Sequence, residues 1–324
     1  KARSGSAVVL DVKTGEILAM VNYPSYNPNS RDTISPSLRR NTTVTDVLEP
    51  GSTMKPFTVV AALENGVDPN ISIPIEPGGY RLAGHTITDT HYYGPTIDLR
   101  RLLVKSSNIG SAKLAANMTS QHLYSVLNRF GFGEKTESGF PGESAAVLSA
   151  PNLWGPVEKA TIAYGYGLSV TPLQIAQAYA GLANHGIRIS PTFIKGAQTE
   201  HSKAIDAVIA GQVVNMLEDV TKTGGTATRA AIKGYRVAGK TGTSRRAIAG
   251  GYEKKYISLF AGVVPIENPK FSMVVVIHQP MGESYYGGMV SAPVFHNVMD
   301  GALRLMDVPP DQIEQWYVDK NNTK

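Results

Sequence analysis

In "EPGSTMKPFTVVAAL", residues 49–63, a serine and a lysine stand three positions apart at the head of an apolar run. The pair offers a hydroxyl nucleophile, Ser52, beside an amine, Lys55, able to take its proton. An S-x-x-K tetrad alone is weak evidence, because about one is expected by chance in a chain this long. Ser52 to Lys55 is nevertheless the only one in these 324 residues. A helix starting at the serine puts both side chains on one face, one turn apart. It also sets the hydroxyl at the positive end of the helix, where a developing anion is favoured. The lysine becomes a usable base only if burial or nearby cations lower its pKa.

Such a nucleophile needs polar partners facing it. S-x-N occurs twice, as Ser25-Tyr26-Asn27 in a Pro/Asn-rich stretch and as Ser106-Ser107-Asn108. The second interrupts an amphipathic helical stretch, a poor place for Ser-Ser-Asn unless its side chains are used, so it is favoured. K-T-G occurs three times. Lys13-Thr14-Gly15 is the turn of a hairpin, and Lys222-Thr223-Gly224 follows a helical run and leads into Gly225, a helix end and loop. Lys240-Thr241-Gly242 alone continues an extended stretch, "YRVAG", and passes into Thr243 and Ser244. A glycine on such a strand leaves room for a substrate backbone to lie alongside.

The elements that must carry these residues follow from periodicity. "GSAVVLDVKTGEILAMVNY" alternates on either side of its turn and reads as a hairpin, and residues 24–50 read as a loop. A helix runs from near Ser52 to Asn65-Gly66, with Pro56 tolerable only near its start. "DLRRLLVKSSNIGSAKLAANM", "QHLYSVLNRFG", "TPLQIAQAYAGLANHG" and "AIDAVIAGQVVNMLEDVTK" have helical spacing. "YRVAGKTGTS", "YISLFAGVVP" and "FSMVVVIHQP" are short β-rich runs, and "SAPVFHNVMDGALRLM" closes with a helix. Strands at both ends of the chain predict an α+β fold. An antiparallel sheet lobe from about 1–50 and 230–310 is flanked by helices, with a helical lobe inserted and a cleft between the two.

Composition narrows the chemistry. Hydrophobic residues at 42% and charged residues at 18% describe a globular chain. No uncharged apolar run approaches the roughly 18 to 20 residues of a membrane helix. The absence of cysteine removes disulfides, thiolate catalysis and cysteine-ligated zinc. The net charge of +5 comes as scattered basic pairs (Arg39-Arg40, Arg100-Arg101, Arg245-Arg246) and gives no case for nucleic acid. There is no G-x-S-x-G elbow or H-E-x-x-H. The seven histidines are dispersed, and His85 and His91, the closest pair, read as loop residues rather than ligands. No metal or cofactor is implied.

In order, Ser52/Lys55, Ser106/Asn108 and Lys240-Thr241-Gly242 match the serine–lysine acyl-transfer set of penicillin-binding proteins and class A β-lactamases. The chain resembles the transpeptidase domain of a class B penicillin-binding protein, similar to the division-specific septal enzyme of Gram-negative bacteria. "GSAVVLDVKTGEILAMVNYPSYNP", "YGYGLSVTPLQIAQAYA", "YISLFAGVVP" and "YYGGMVSAPVF" extend the resemblance over roughly residues 5–306. The resemblance implies the serine–lysine transpeptidase fold and a peptidoglycan D,D-transpeptidase acting on stem peptides, with β-lactams as covalent inhibitors. It also implies a periplasmic setting at the inner membrane and divisome membrane proteins as partners. By that resemblance, the family's cytoplasmic tail, membrane anchor and N-terminal pedestal domain are expected to lie outside this sequence.

By the same resemblance Ser52 is acylated, Lys55 is its base, and Ser106 and Asn108 relay protons and hold the substrate amide. Lys240 and Thr241 line the strand, Thr243 contacts the substrate carboxylate, and Ser107 and Gly242 are further substrate-contacting positions. Backbone N–H groups of Ser52 and Thr243 form the oxyanion hole. Tyr166, Arg245, Tyr256, Tyr285 and Tyr286 wall the cleft, although half-buried packing would equally explain the tyrosines. A β-lactamase would also need the E-x-x-x-N glutamate and water, and no E-x-x-x-N occurs in this chain. A D,D-carboxypeptidase shares the acylation step and stays open. A β-lactam sensor domain is disfavoured by the "YYGGMVSAPVF" tail.

Overall fold

The two ends of the chain build one sheet. The computed structural model describes residues 1–30, 35–248 and 251–312, so part of the loop expected over 24–50 lies outside the described residues. Strands β1 (Ala2–Asp11) and β2 (Ile17–Tyr23) form the expected hairpin, with Gly15 in its turn at φ +73°. Strands β3 (Ala238–Ile248), β4 (Gly251–Val264) and β5 (Phe271–Pro280) complete a five-stranded antiparallel sheet of order β2-β1-β5-β4-β3. This is the α+β, antiparallel-sheet architecture that the sequence pattern predicts.

The helices of the fold include α1 (Lys55–Glu64), α2 (Leu99–Lys105), α3 (Asn108–Ala116), α4 (Ser120–Arg129), α5 (Pro156–Ala163), α6 (Pro172–Ala183), α7 (Ala207–Glu218) and α8 (Ala292–Leu305). Two of them cover opposite sheet faces. Ser272 donates its hydroxyl to Ala176 O of α6, whereas Phe260, in register with Val275, meets Phe295 of α8 edge-on at 4.9 Å. Because side chains alternate along a strand, even-numbered β5 residues face α6 and odd-numbered ones face α8. That double coverage explains the unbroken buried run Phe271–Val276.

Helix α6 is buried at every position, and a reciprocal cap between Thr171 and Gln174 holds its start. Helix α8 is one-sided: Ala292, Phe295, Met299 and Leu303 are buried at helical spacing. The register also fixes a functional lysine. Val8, Val274, Ala261 and Lys240 form one row across four strands, so Lys240 points to the α6 side, into the interior.

Candidate active site

Ser52 occupies a 3₁₀ turn, Gly51–Met54, and α1 proper starts at Lys55. The helix expected from Ser52 begins one turn later, for a reason carried by Pro56. An α-helical bond to Ser52 O would have to come from residue 56, which has no N–H. Lys55 N–H makes the tighter bond to Ser52 O instead. The turn is anchored from three sides. Gly51 N–H donates to Gly165 O at 2.9 Å, and Tyr179 of α6 donates its hydroxyl to Thr53 O at 2.9 Å. Phe57 packs among Phe130, Phe132 and Tyr179 with ring centroids 4.9–5.5 Å apart. Gly165, at φ +95°, cannot carry a side chain, since a Cβ there would run into Gly51 O.

The stretch read as one interrupted helix is two helices, α2 and α3, broken at Ser106, which adopts the left-handed conformation at φ +60°, ψ +43°. That break turns Ser106 and Asn108 toward Lys55. Lys55 is fully buried, and its Nζ lies 3.0 Å from Ser52 Oγ, 2.7 Å from Asn108 Oδ1, 3.2 Å from Ser106 Oγ and 2.5 Å from Ser106 O. Lys240 is fully buried too, with its Nζ 3.0 Å from Ser106 Oγ. The Ser106 hydroxyl therefore bridges two lysine amines. Burial, reinforced by the charge of Lys240 and opposed by Asp89, holds the Lys55 amine well below an ordinary lysine. Burial alone brings Lys240 down to about 7.

Thr241, Thr243 and Arg245 line a cleft of about 550 Å³ with Ser52, Ser106 and Asn108. Tyr166, Tyr256, Tyr285 and Tyr286 complete its wall. Tyr256 and Tyr285 stack with centroids 3.8 Å apart, and Tyr286 leans on Tyr285 at 4.7 Å. The Tyr166 hydroxyl donates to Thr243 O at 3.4 Å, and burial, then Glu49, pushes its phenol upward. The carbonyl of Thr243 is thus directed off the unpaired edge of β3, and the N–H of an extended residue points the same way. Thr243 Oγ1 accepts from Gly287 N–H at 3.0 Å.

Two expected substrate contacts have other duties. Ser107 is fully buried; its hydroxyl donates to Asp89 Oδ2 at 2.6 Å and accepts from Gly110 N–H at 2.9 Å as the cap of α3. It does not line the cleft. At Gly242 a Cβ would come within 3.0 Å of Pro50 O and 3.1 Å of Thr53 Cγ2. Its missing side chain lets β3 approach the turn that carries Ser52, rather than making room for a substrate. Of the other K-T-G copies, Lys13 lies at the β1–β2 turn with Nζ 3.3 Å from Asn184 Oδ1. Lys222 is half-exposed and ion-paired with Glu218 and Asp219, each at 3.1 Å.

Sequence reasoning missed the segment "TDTHYY", residues 88–93. It contributes Thr90, His91 and Tyr93 to the cleft and places Asp89 behind it. His91 is a loop residue, as read, and also lines the cleft. The segment's density of polar groups was visible, but nothing local ties it to Ser106. Lys105 and Thr226 also line the cleft; Lys105 Nζ donates to Gly224 O at 2.8 Å, and the hydroxyls of Thr226 and Thr241 are 3.0 Å apart.

A serine served by two buried lysines and a bridging serine, on the edge of an antiparallel sheet, defines a narrow class of site. The chain belongs to the penicillin binding protein transpeptidase domain family, which it matches over residues 5–300. It is 45% identical over 315 residues to the peptidoglycan D,D-transpeptidase FtsI of Escherichia coli K12, covering 97% of this chain and 53% of that protein. It is 42% identical to the probable peptidoglycan D,D-transpeptidase PenA of Neisseria flavescens, covering 96% of this chain and 78% of that one. The chain therefore spans about half the length of FtsI. Among solved structures, the apo transpeptidase domain of Burkholderia pseudomallei penicillin-binding protein 3 superimposes with a TM-score of 0.86 at 37% identity, covering 96% of this chain and 90% of that one.

Proposed function

We propose that this chain is a peptidoglycan D,D-transpeptidase domain that crosslinks stem peptides through an ester on Ser52. The observation that carries the reading is the convergence of Lys55 Nζ on Ser52 Oγ, Ser106 and Asn108. A neutral Lys55 amine accepts the Ser52 proton as Oγ attacks the carbonyl of a D-Ala-D-Ala terminus. Ser106, between the two lysines, passes a proton to the departing D-alanine nitrogen, and an acceptor amine later displaces Ser52 by the reverse path. The N–H groups of Ser52 and Thr243 stabilise the oxyanion, a role supported by the outward direction of the Thr243 carbonyl. Thr243 takes the substrate carboxylate beside Thr241, with Lys240 buried behind the strand against Ser106, and Arg245 and the tyrosines bound the cleft. A sheet lobe from 1–50 and 230–310 and a helical lobe between them are the two walls we assign to it.

Septal wall synthesis at the periplasmic face of the inner membrane, alongside membrane proteins of the division machinery, is the setting we infer. No helix among the described residues is long and apolar enough to cross a membrane. Penicillin should add one mass equivalent that maps to the Ser52 peptide, and Ser52→Ala should take none; labelling elsewhere overturns the assignment. No Asp or Glu is found among the described residues lining the cleft, so no carboxylate is at hand to activate a deacylating water. The adduct should persist for minutes to hours after free drug is removed, far below the roughly 1 to 10³ s⁻¹ of ordinary turnover. Loss within seconds would make the chain a β-lactamase instead.

A further inference from the structure

Asp89 touches no cleft surface, yet it gathers the start of α3. Its Oδ1 accepts from Asn108 N–H at 2.5 Å and Ile109 N–H at 3.1 Å, and its Oδ2 accepts from the Ser107 hydroxyl at 2.6 Å. Next to it, Thr88 O accepts from Asn108 Nδ2 at 3.0 Å, so the segment grips Asn108 through both backbone and side chain. Asn108 then presents Oδ1 to Lys55. Ser106 is left in a left-handed conformation that costs a non-glycine residue roughly 1–2 kcal/mol and needs such external support.

We propose that Asp89 is a positioning residue of the acylation site: it seats the Ser106-Ser107-Asn108 turn and, by its negative charge, sets when Lys55 can serve as base. The charged groups that act on Lys55 are Lys240 from β3 and Asp89 from the segment before α2. Lys105 turns its amine to Gly224 O, and Ser52, Ser106 and Asn108 are neutral. Two cations in one buried site repel, and the neighbouring carboxylate partly offsets that repulsion. Asp89 thereby keeps Lys55 from becoming too weak a base to accept the serine proton. Tyr93, whose phenol is raised by burial and then by Asp89, borders the same carboxylate.

The inference rests on Lys55 being the base. Its test is the pH profile of penicillin acylation for wild type, Asp89→Asn, Asp89→Glu and Lys55→Ala, each with a melting curve. Asp89→Asn keeps an acceptor oxygen but loses the charge. Its acid limb should move about one unit to lower pH, at the low end of what a nearby opposite charge does, and its plateau should fall about tenfold. Asp89→Glu should return the limb to the wild-type position. If Asp89→Asn does not fold, Asp89→Ser, also neutral, carries the same expectation. An unmoved limb, or the failure of both neutral variants to fold, would reduce Asp89 to scaffolding and overturn the proposal. If the limb is unmoved while Lys55→Ala is inert, only the Asp89 inference falls. Lys55→Ala acylating within tenfold of wild type would sink the reading beneath it.

Discussion

Lys240-Thr241-Gly242 and Lys222-Thr223-Gly224 are the same tripeptide in two surroundings. On β3, Lys240 turns inward beneath α6, is cut off from water, has Ser106 Oγ in reach, and is brought down to about 7 by burial. In the loop after α7, Lys222 is half-exposed between two carboxylates; partial burial lowers its pKa, but the hydrogen bonds to Glu218 and Asp219 and their charges together outweigh it, and the pKa is raised. The glycines differ likewise. Gly242 lies against the Ser52 turn, whereas Gly224 is at φ +87° with open space around it. A motif becomes a site through what its side chains are pressed against.

The largest expected effect breaks that comparison directly. Lys240→Ala should slow penicillin acylation by about 10²- to 10⁴-fold, the usual contribution of a placed proton-transfer group. Lys222→Ala and Lys13→Ala should stay within twofold of wild type. Stopped-flow acylation kinetics would check all three, and a sensitive Lys222 would reverse the assignment of the strand.

The glycines give a smaller, crossed effect. Gly242→Ala must push back the 51–54 turn by a few tenths of an ångström, so acylation should drop roughly tenfold, a loss of about 1.4 kcal/mol. Gly224→Ala should cost about 1 kcal/mol of stability from backbone strain and leave acylation unchanged. Parallel melting and acylation measurements decide between the two patterns.

A separate effect falls on stability alone. Lys240 folds with a pKa lowered to about 7, against roughly 10.4 when unfolded. Between those values the unfolded chain holds a proton that the folded chain has released, so Lys240 makes stability rise with pH, by about 1 kcal/mol per unit. Lys240→Met should flatten the change in Tm between pH 7 and 9. Lys222, raised when folded, contributes fully below about 10.4 and loses its contribution only above it, so Lys222→Ala should leave that slope alone.

Much of this site was legible in sequence because its parts are local patterns: the single S-x-x-K, the helix-breaking Ser-Ser-Asn, and one K-T-G out of three on a strand. The sheet was legible through alternation and β-rich runs at both ends of the chain. Burial was not. Whether Lys55 is a cation or a base depends first on that burial and then on Lys240 and Asp89, which sequence holds far away. The family resemblance suggested Ser107 as a substrate contact, but the α3 cap claims its hydroxyl. Pro56 announced the start of α1, yet its missing N–H also moved that start one turn past Ser52. Asp89, in a polar loop without a motif, carried no local signal at all.

The central claim is that burial turns Lys55 from a surface-type cation into the base for Ser52. The rate of Ser52 acylation by penicillin, followed by intact mass across pH 5–10, tests it most directly. Acylation should already be substantial at pH 7, its rising limb should lie well below the roughly 10.4 of a free lysine, and Lys55→Ala should abolish it. A rate negligible at pH 7 that climbs only near pH 10 would mean that Lys55 stays protonated, and would contradict the account.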